Sequence, residues 1–252
     1  MAQLSVGEMN IAYERSGTGR PLLLVHGFPL DHAVWQSLAA LLESDFDVIM
    51  PDLPGFGASS LSAGGMDGAA CQLAALLDGL GIESAYVAGH SMGGYVALSF
   101  AHQFPGRVLG LGLIGSQAAA DLPERRAGRY ATAEQVERLG VQVVLDMAAK
   151  LTLQATFTPW IEQIILRQNP AGVASALRGM AQRQDAFTFL PGFDFPLLLV
   201  HGLEDGLIAV DRAREVKKQH PQATLVELPG VGHSPMLEAP QETAQALRML
   251  FA

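Results

Sequence analysis

Ala85-Tyr86-Val87-Ala88-Gly89-His90-Ser91-Met92-Gly93-Gly94 decides how this chain is read. Ala85–Ala88 is a short apolar run, as expected of a buried strand, and Tyr95–Gln103 reads as helix. Between them stands Gly89-His90-Ser91-Met92-Gly93, a G-x-S-x-G string in a strand–turn–helix setting. The bare string is common by chance, and a plain Gly/Ser loop is the competing reading. The strand before it and the helix after it favour a nucleophile. A side chain on so tight a turn has strained backbone angles, so Gly89 and Gly93 must leave room beside Ser91. Gly94 lets the helix approach the neighbouring strands.

Outward from this turn, strands and helices alternate. Leu4–Val6 and Asn10–Glu14 read as an N-terminal hairpin, and Leu22–Val25 as a fully buried strand ending at His26-Gly27. Ala33–Leu42 has helical spacing behind Asp31 as N-cap, and Phe46–Met50 is the next strand. Residues 53–65, rich in Gly, Ser and Pro, are loop; Met66–Leu80 is helix and Val108–Ile114, alternating Gly with aliphatics, is strand. From Ser116 to about Arg183 no strand intervenes. The candidate helices there are Thr132–Leu139, Val141–Leu151, Pro159–Gln168 and Ala171–Arg183. Strand character resumes at Phe195–Val200 and again at Ala223–Leu228, with helices at Val210–Gln219 and Ala239–Phe251. This order predicts an α/β fold, a doubly wound, mostly parallel eight-stranded sheet, with a helical block inserted into it. Residues 1–115 and 186–252 form the core and 116–185 the insert.

Composition narrows the function classes. The 252 residues are 49% hydrophobic with only 7% aromatic, so the apolar material is mostly Ala, Leu, Val and Ile, which suits helices on a buried parallel sheet. A net charge of −9 without any Lys/Arg-rich run argues against a nucleic-acid partner. No stretch reaches the roughly 18 apolar residues of a membrane helix, and the N-terminus lacks a basic start and apolar run, so a cytoplasmic protein without a membrane partner is expected. A homo-oligomer fits this composition as well as a monomer does. The one cysteine, Cys71, rules out an intrachain disulfide and reads as a small core residue. The histidines are scattered, with no H-E-x-x-H or Cys/His cluster, and Gly55-x-Gly57 is no dinucleotide fingerprint; neither metal nor cofactor is expected.

A serine needs a base. Of the histidines, His102 and His220 lie near helix ends, His32 beside a helix start, and His26 and His201 at strand ends as loop supports; His90, inside the turn, should point away. His233 stands in Leu228-Pro229-Gly230-Val231-Gly232-His233-Ser234-Pro235, a Gly-rich loop after the last strand. That places it at the same carboxyl edge of the sheet as Ser91. The base needs an acid to fix its tautomer. Asp205, just past another strand end, completes the chain order Ser, Asp, His; Glu204 and Glu238 are its competitors. The oxyanion of an acyl-transfer intermediate wants two backbone donors. Met92 N–H follows the nucleophile, and Phe28 N–H in His26-Gly27-Phe28-Pro29 is the second, unless that segment is only a Gly-Pro turn. Asp52, at another strand end, is read as shaping the loop behind the oxyanion site.

With these residues in order, the whole chain resembles the α/β-hydrolase fold superfamily. His26-Gly27-Phe28-Pro29-Leu30-Asp31 with Trp35, the Ser91 turn, Val231-Gly232-His233-Ser234-Pro235, and more loosely Asn169-Pro170-Ala171-Gly172 and Met180–Asp185, are similar to the 3-oxoadipate enol-lactonase-like and small carboxylesterase group. The resemblance implies that the helical insert caps the active site. Met147, Phe157 and Trp160 would then line the pocket opposite Phe28, although helix-core packing explains each equally well. Ser91 stands where dehalogenases and epoxide hydrolases of this fold carry aspartate, which argues against both. The reading is a serine hydrolase that cleaves a small, largely apolar carboxylic ester or lactone through an acyl-enzyme. A lactonase acting on a carboxylate-bearing substrate would need a cation in the insert, for which Arg125, Arg126, Arg129, Arg167 and Arg178 are available. Two alternatives stay open: a lyase or carbon–carbon hydrolase using the same three residues, and a non-catalytic ligand receptor.

Overall fold

The computed structural model describes residues 1–7 and 9–251. Eight strands form one sheet: β1 (Ala2–Val6), β2 (Met9–Gly17), β3 (Arg20–Val25), β4 (Phe46–Pro51), β5 (Ala85–His90), β6 (Val108–Ile114), β7 (Leu197–Gly202) and β8 (Thr224–Leu228). Their spatial order is β1-β2-β4-β3-β5-β6-β7-β8, antiparallel at β1/β2 and β2/β4 and parallel from there on. The chain winds outward in opposite directions from β3 and β5, so the loops that follow these two strands open side by side. This is the switch point at which open α/β sheets bind ligands. Val25 and Gly89 are register partners there.

The helices are α1 (Gln36–Leu42), α2 (Gly65–Gly79), α3 (Met92–Gln103), α4 (Pro123–Leu139), α5 (Met147–Lys150), α6 (Thr158–Leu166), α7 (Pro170–Gln182), α8 (Asp211–Gln219), α9 (Pro235–Glu238) and α10 (Pro240–Phe251). β3 to β7 are apolar along most of their length because helices cover both sheet faces; β4, β5 and β7 are buried at every position. The alternating glycines of β6 have a packing cause. Tyr86 and Phe251 stack with centroids 4.6 Å apart, and a Cβ on Gly110 would lie 2.9 Å from the Phe251 ring and 3.0 Å from the Tyr86 ring.

The Gly-rich segment after β4 is the seat of α7. Gly55 meets Gly172 and Gly65 meets Gly179, with a Cβ on Gly55 coming within 2.6 Å of Gly172 Cα. Seven residues separate the two contacts on α7, two turns of helix, so both fall on one face.

Three expectations need correction. The first helix of the insert starts at Pro123, nine residues before Thr132: proline is suited to the first turn, but among the described residues of α4 only Ala133 and Val136 are buried, so the first half shows no apolar period. Val141–Leu151 is not one helix but a 3₁₀ turn, Val141–Val144, followed by the single turn α5. Cys71 is exposed, not a core residue: α2 buries Met66, Ala69, Ala70, Leu73, Leu76 and Leu77, and Cys71 falls on its outer face.

Phe251→Ala would leave the Tyr86 face and the Gly110 side of β6 without a partner. The expected loss is about 3–5 kcal/mol of unfolding free energy, read from urea melts of wild type and variant.

Candidate active site

Ser91 sits between β5 and α3 with φ 52° and ψ −114°, the one described non-glycine residue with positive φ. Its backbone is pinned from two sides, by the last residue of β6 and by the loop that follows it. Ser91 N–H donates to Ile114 O at 2.9 Å, and Ser116 Oγ donates to Ser91 O at 2.7 Å. The flanking glycines make this contact possible. A Cβ on Gly89 would run into the Gly93 carbonyl, one on Gly93 into the Val25 carbonyl, and one on Gly94 into the Ser116 hydroxyl. Met92 is the first residue of α3, so its N–H has no partner within the helix. Phe28 follows β3 in the neighbouring loop. Its side chain lines the same cavity as Ser91.

His233 and Asp205 meet at 2.8 Å, Nδ1 to Oδ2, and both are buried. The carboxylate accepts more. Oδ1 takes the N–H groups of Leu207 and Ile208 at 2.9 Å each, and His201 Nε2 lies 3.2 Å from Oδ2. Burial works to raise the Asp205 carboxyl, but the hydrogen bonds from His201, His233 and Ile208 outweigh it and hold the group well below the ordinary carboxylate range. Asp205 is therefore an anion facing the imidazole. The competing carboxylates are engaged elsewhere. Glu204 is exposed and accepts Gly230 N–H at 2.8 Å. Glu238 accepts Gly232 and Ser234 N–H, either side of His233, and also Leu153 N–H, each at 3.1 Å.

The remaining buried histidines hold loops. Leu53 N–H donates to His26 Nε2 at 2.9 Å, so the ring proton is on Nδ1, which faces Gly27 O at 3.0 Å. His201 Nε2 meets Ile208 O at 2.7 Å. His90 does not turn away from the site: it lies beneath His233, with ring centroids 4.9 Å apart, and Nε2 donates to the His233 carbonyl at 2.8 Å. Burial first, and then the neighbouring His233, push its pKa down to about 3, so it is neutral. Asp52 accepts the N–H groups of His32 and Ala58 at 3.0 Å each and faces His32 Nδ1 at 2.7 Å, tying its own loop to the segment after β3. Asp31, His32 and Asp52 could each offer an atom to a cation within 4.8 Å of one another. Asp31 is already paired in two directions with Arg167, at 2.7 and 2.8 Å, and with Gln168.

Ser91 and His233 share a cavity of about 50 Å³ with Phe28, Met147, Met180, Leu207 and Ile208. Phe157 and Trp160 are not among its lining residues; both are half-buried against the core. Tyr95, Arg125 and Arg129 also line it. Tyr95 was not singled out by sequence, although it lies four residues after Ser91 on a helix and so must share its face. Arg125, Arg129 and Arg183 converge on the buried carboxylate of Asp121. Arg183 bonds it at 2.9 Å, Arg125 lies 3.7 Å away, and Arg129 is in contact. Burial opposes the Asp121 charge, but hydrogen bonds from Arg183 and Arg129 pull its pKa below the usual value. Arg178 is taken by Glu137.

A family model described as alpha/beta hydrolase fold matches residues 20–240. Among curated proteins, the chain is 35% identical over 246 residues to a dihydrolipoyllysine-residue acetyltransferase component of an acetoin cleaving system from Pseudomonas putida, covering 91% of this chain but only 62% of that relative. It is 30% identical to a pimeloyl-[acyl-carrier protein] methyl ester esterase from Nitrosomonas europaea, covering 92% of this chain and 96% of the relative. Among solved structures, a thermophilic esterase from Thermogutta terrifontis superposes with a TM-score of 0.93 at 35% identity, covering 99% of this chain and 97% of that one. An enol-lactonase from Burkholderia xenovorans LB400, at 21% identity, TM-score 0.90 and 99% coverage of both chains, shares the fold. No described helix is long and apolar enough to cross a membrane.

The buried neutral His90 has a pH consequence. The unfolded chain takes up a proton near the ordinary value of 6.5, and the folded chain does so only at about 3. Stability from this residue is fully present above 6.5 and is lost as pH falls, by up to about 1.4 kcal/mol per pH unit. His90→Gln lacks this contribution. Urea melts at pH 7, 6 and 5 should show the gap between wild type and variant narrowing as pH falls.

Proposed function

The chain belongs to the α/β-hydrolase fold family, and on that footing we propose that it cleaves a carboxylic ester or lactone through an acyl-enzyme, with Ser91 as nucleophile, His233 as base and Asp205 as the acid that orients it. The observation that carries this reading is the 2.8 Å pair between Asp205 Oδ2 and His233 Nδ1, with His233 lining the same cavity as Ser91. With Nδ1–H donated to an anionic Asp205, Nε2 is left with its lone pair free for the serine proton. Ser91 Oγ attacks the carbonyl carbon as His233 accepts that proton. The developing oxyanion is held by the N–H groups of Met92 and Phe28. Collapse expels the alcohol, protonated by His233, and water then repeats the sequence on the acyl-enzyme. The names of the esterase relatives support an ester substrate.

Residues 116–185 act in this proposal as a cap on a core of residues 1–115 and 186–252. The apolar side chains of Phe28, Met147, Met180, Leu207 and Ile208 suit a small, largely apolar acyl group. Arg125 and Arg129 favour a second reading of the substrate, an ester or lactone that also carries a carboxylate. Three guanidinium groups face the single Asp121 carboxylate, which leaves an excess of positive charge beside the cavity.

Hydrolysis of a panel of p-nitrophenyl esters and small lactones by wild type and variants tests the proposal. Ser91→Ala and His233→Gln should each lower kcat by roughly 10⁴-fold or more, and Asp205→Asn by a similar factor through the wrong imidazole tautomer, while Glu204→Gln retains activity. An active Ser91→Ala, or a folded wild type inert on the whole panel, would overturn it. Arg125→Gln should lower kcat/KM for monoesters of dicarboxylic acids more than for neutral esters of the same length; an equal effect on both removes the carboxylate reading.

A further inference from the structure

A second chamber, about 220 Å³, shares one lining residue, Tyr95, with the cavity at Ser91. Tyr95 is 5% exposed and lines both spaces, so its ring is the wall between them. The two spaces also lie on one stripe of α3. Ser91, Tyr95, Leu98 or Ser99, and His102 recur at helical spacing, and the last three positions line the second chamber. At about 1.5 Å per residue, Ser99 stands roughly 12 Å along the helix axis from Ser91. The cavity at Ser91, about 50 Å³, has room for little more than a short acyl group. The chamber beyond has an apolar side, Met66, Leu98 and Phe189, with Phe189 stacked on His102 at 4.2 Å, and a polar mouth where Asp67, Gln103 and Gln184 are exposed.

Two features mark the partition itself. The Tyr95 hydroxyl accepts from Gln117 Nε2 at 3.3 Å, the long end of a hydrogen bond. Over its ring, at 4.1 Å, lies the guanidinium of Arg183, whose side chain is only 5% exposed. The terminal nitrogens of Arg183 bond Met180 O, Ala119 O and Asp121 Oδ1, but the buried Nε has no partner. A buried charged donor left unpaired is costly, and an acceptor brought into this chamber would relieve it.

We propose that the second chamber receives the distal part of the substrate's acyl chain, a medium-length chain carrying a hydrogen-bond acceptor for Arg183, and that Tyr95 is the partition that limits how much chain passes. The proposal rests on Ser91 as the nucleophile. It assigns Tyr95 a specificity role, since its ring touches the chain and not the reacting bond.

The test has two arms. In the first, wild type is treated with O-methyl O-(p-nitrophenyl) octylphosphonate and the crystal structure of the product is determined. The Ser91 Oγ–P bond forms as the bond to p-nitrophenolate breaks, and the serine proton goes to His233. The octyl chain is expected beyond Tyr95, between Leu98 and Phe189. A chain running instead outward past Met147 overturns the chamber while leaving Ser91 as nucleophile, and no adduct on Ser91 overturns both. In the second arm, kcat/KM is compared for p-nitrophenyl octanoate and acetate. Tyr95→Ala, which joins the two spaces, should raise the octanoate-to-acetate ratio roughly tenfold, and Tyr95→Phe, which keeps the ring, should keep the wild-type ratio. An unchanged ratio in Tyr95→Ala overturns the partition. In wild type, a hydroxyl at the end of the octanoyl chain should lower KM, and an unchanged KM removes Arg183 from the proposal.

Discussion

The site depends on one strained residue. Ser91 occupies a region of backbone space that residues other than glycine rarely adopt, and it stays there because its N–H is anchored to the end of β6 and its carbonyl to Ser116 just beyond. The anchoring works only at close range. Gly89, Gly93 and Gly94 supply the range by leaving out the three methyl groups that would collide with carbonyls of β3 and α3 and with Ser116. The strain thus sits where several elements over-determine it. The same turn leads directly into the first residue of α3, Met92.

Histidine serves this fold in two ways. His233 faces an anion, whereas His90 beneath it is shut off from water and kept neutral. The His90 ring lies 4.9 Å from that of His233, and its neutrality puts no further charge beside the Asp205–His233 pair. His201 adds a second imidazole contact to Asp205, on the same Oδ2 that His233 meets. One of these supports, His90, lies inside the motif that first draws attention to the site, and the other, His201, lies at the end of a different strand.

The sheet was legible because its strands are short apolar runs bounded by glycine and proline, and because strand and helix alternate at regular intervals. Ser91, Asp205 and His233 were legible as a constellation because each follows a strand end, and parallel strands bring such ends to one edge. What escaped was whatever depends on side-chain direction. His90 was expected to point away because its neighbour Ser91 points up, but alternation in a strand places it below the site rather than outside it. Trp160 and Phe157 looked suited to a pocket by type but lie against the core, while Arg125 and Arg129, two of five candidate cations that the sequence offered without a way to choose among them, line the cavity from a helix whose first half gave no apolar signal. Cys71 illustrates the same limit in α2, where one position along the helix separates the core from solvent.

Glu238 links two parts of the molecule that lie far apart in sequence. One carboxylate receives N–H groups from both sides of His233 and from Leu153, while Ser234 Oγ reaches Leu151 O at 2.6 Å. The loop bearing the imidazole is therefore built partly on the helical block between β6 and β7. The block is not an interchangeable module. A transplanted replacement that did not present the equivalent N–H and carbonyl at the positions of Leu153 and Leu151 would take one donor from Glu238 and the acceptor from the Ser234 hydroxyl, and the imidazole loop would lose its anchor to the block even though no residue of the sheet had changed.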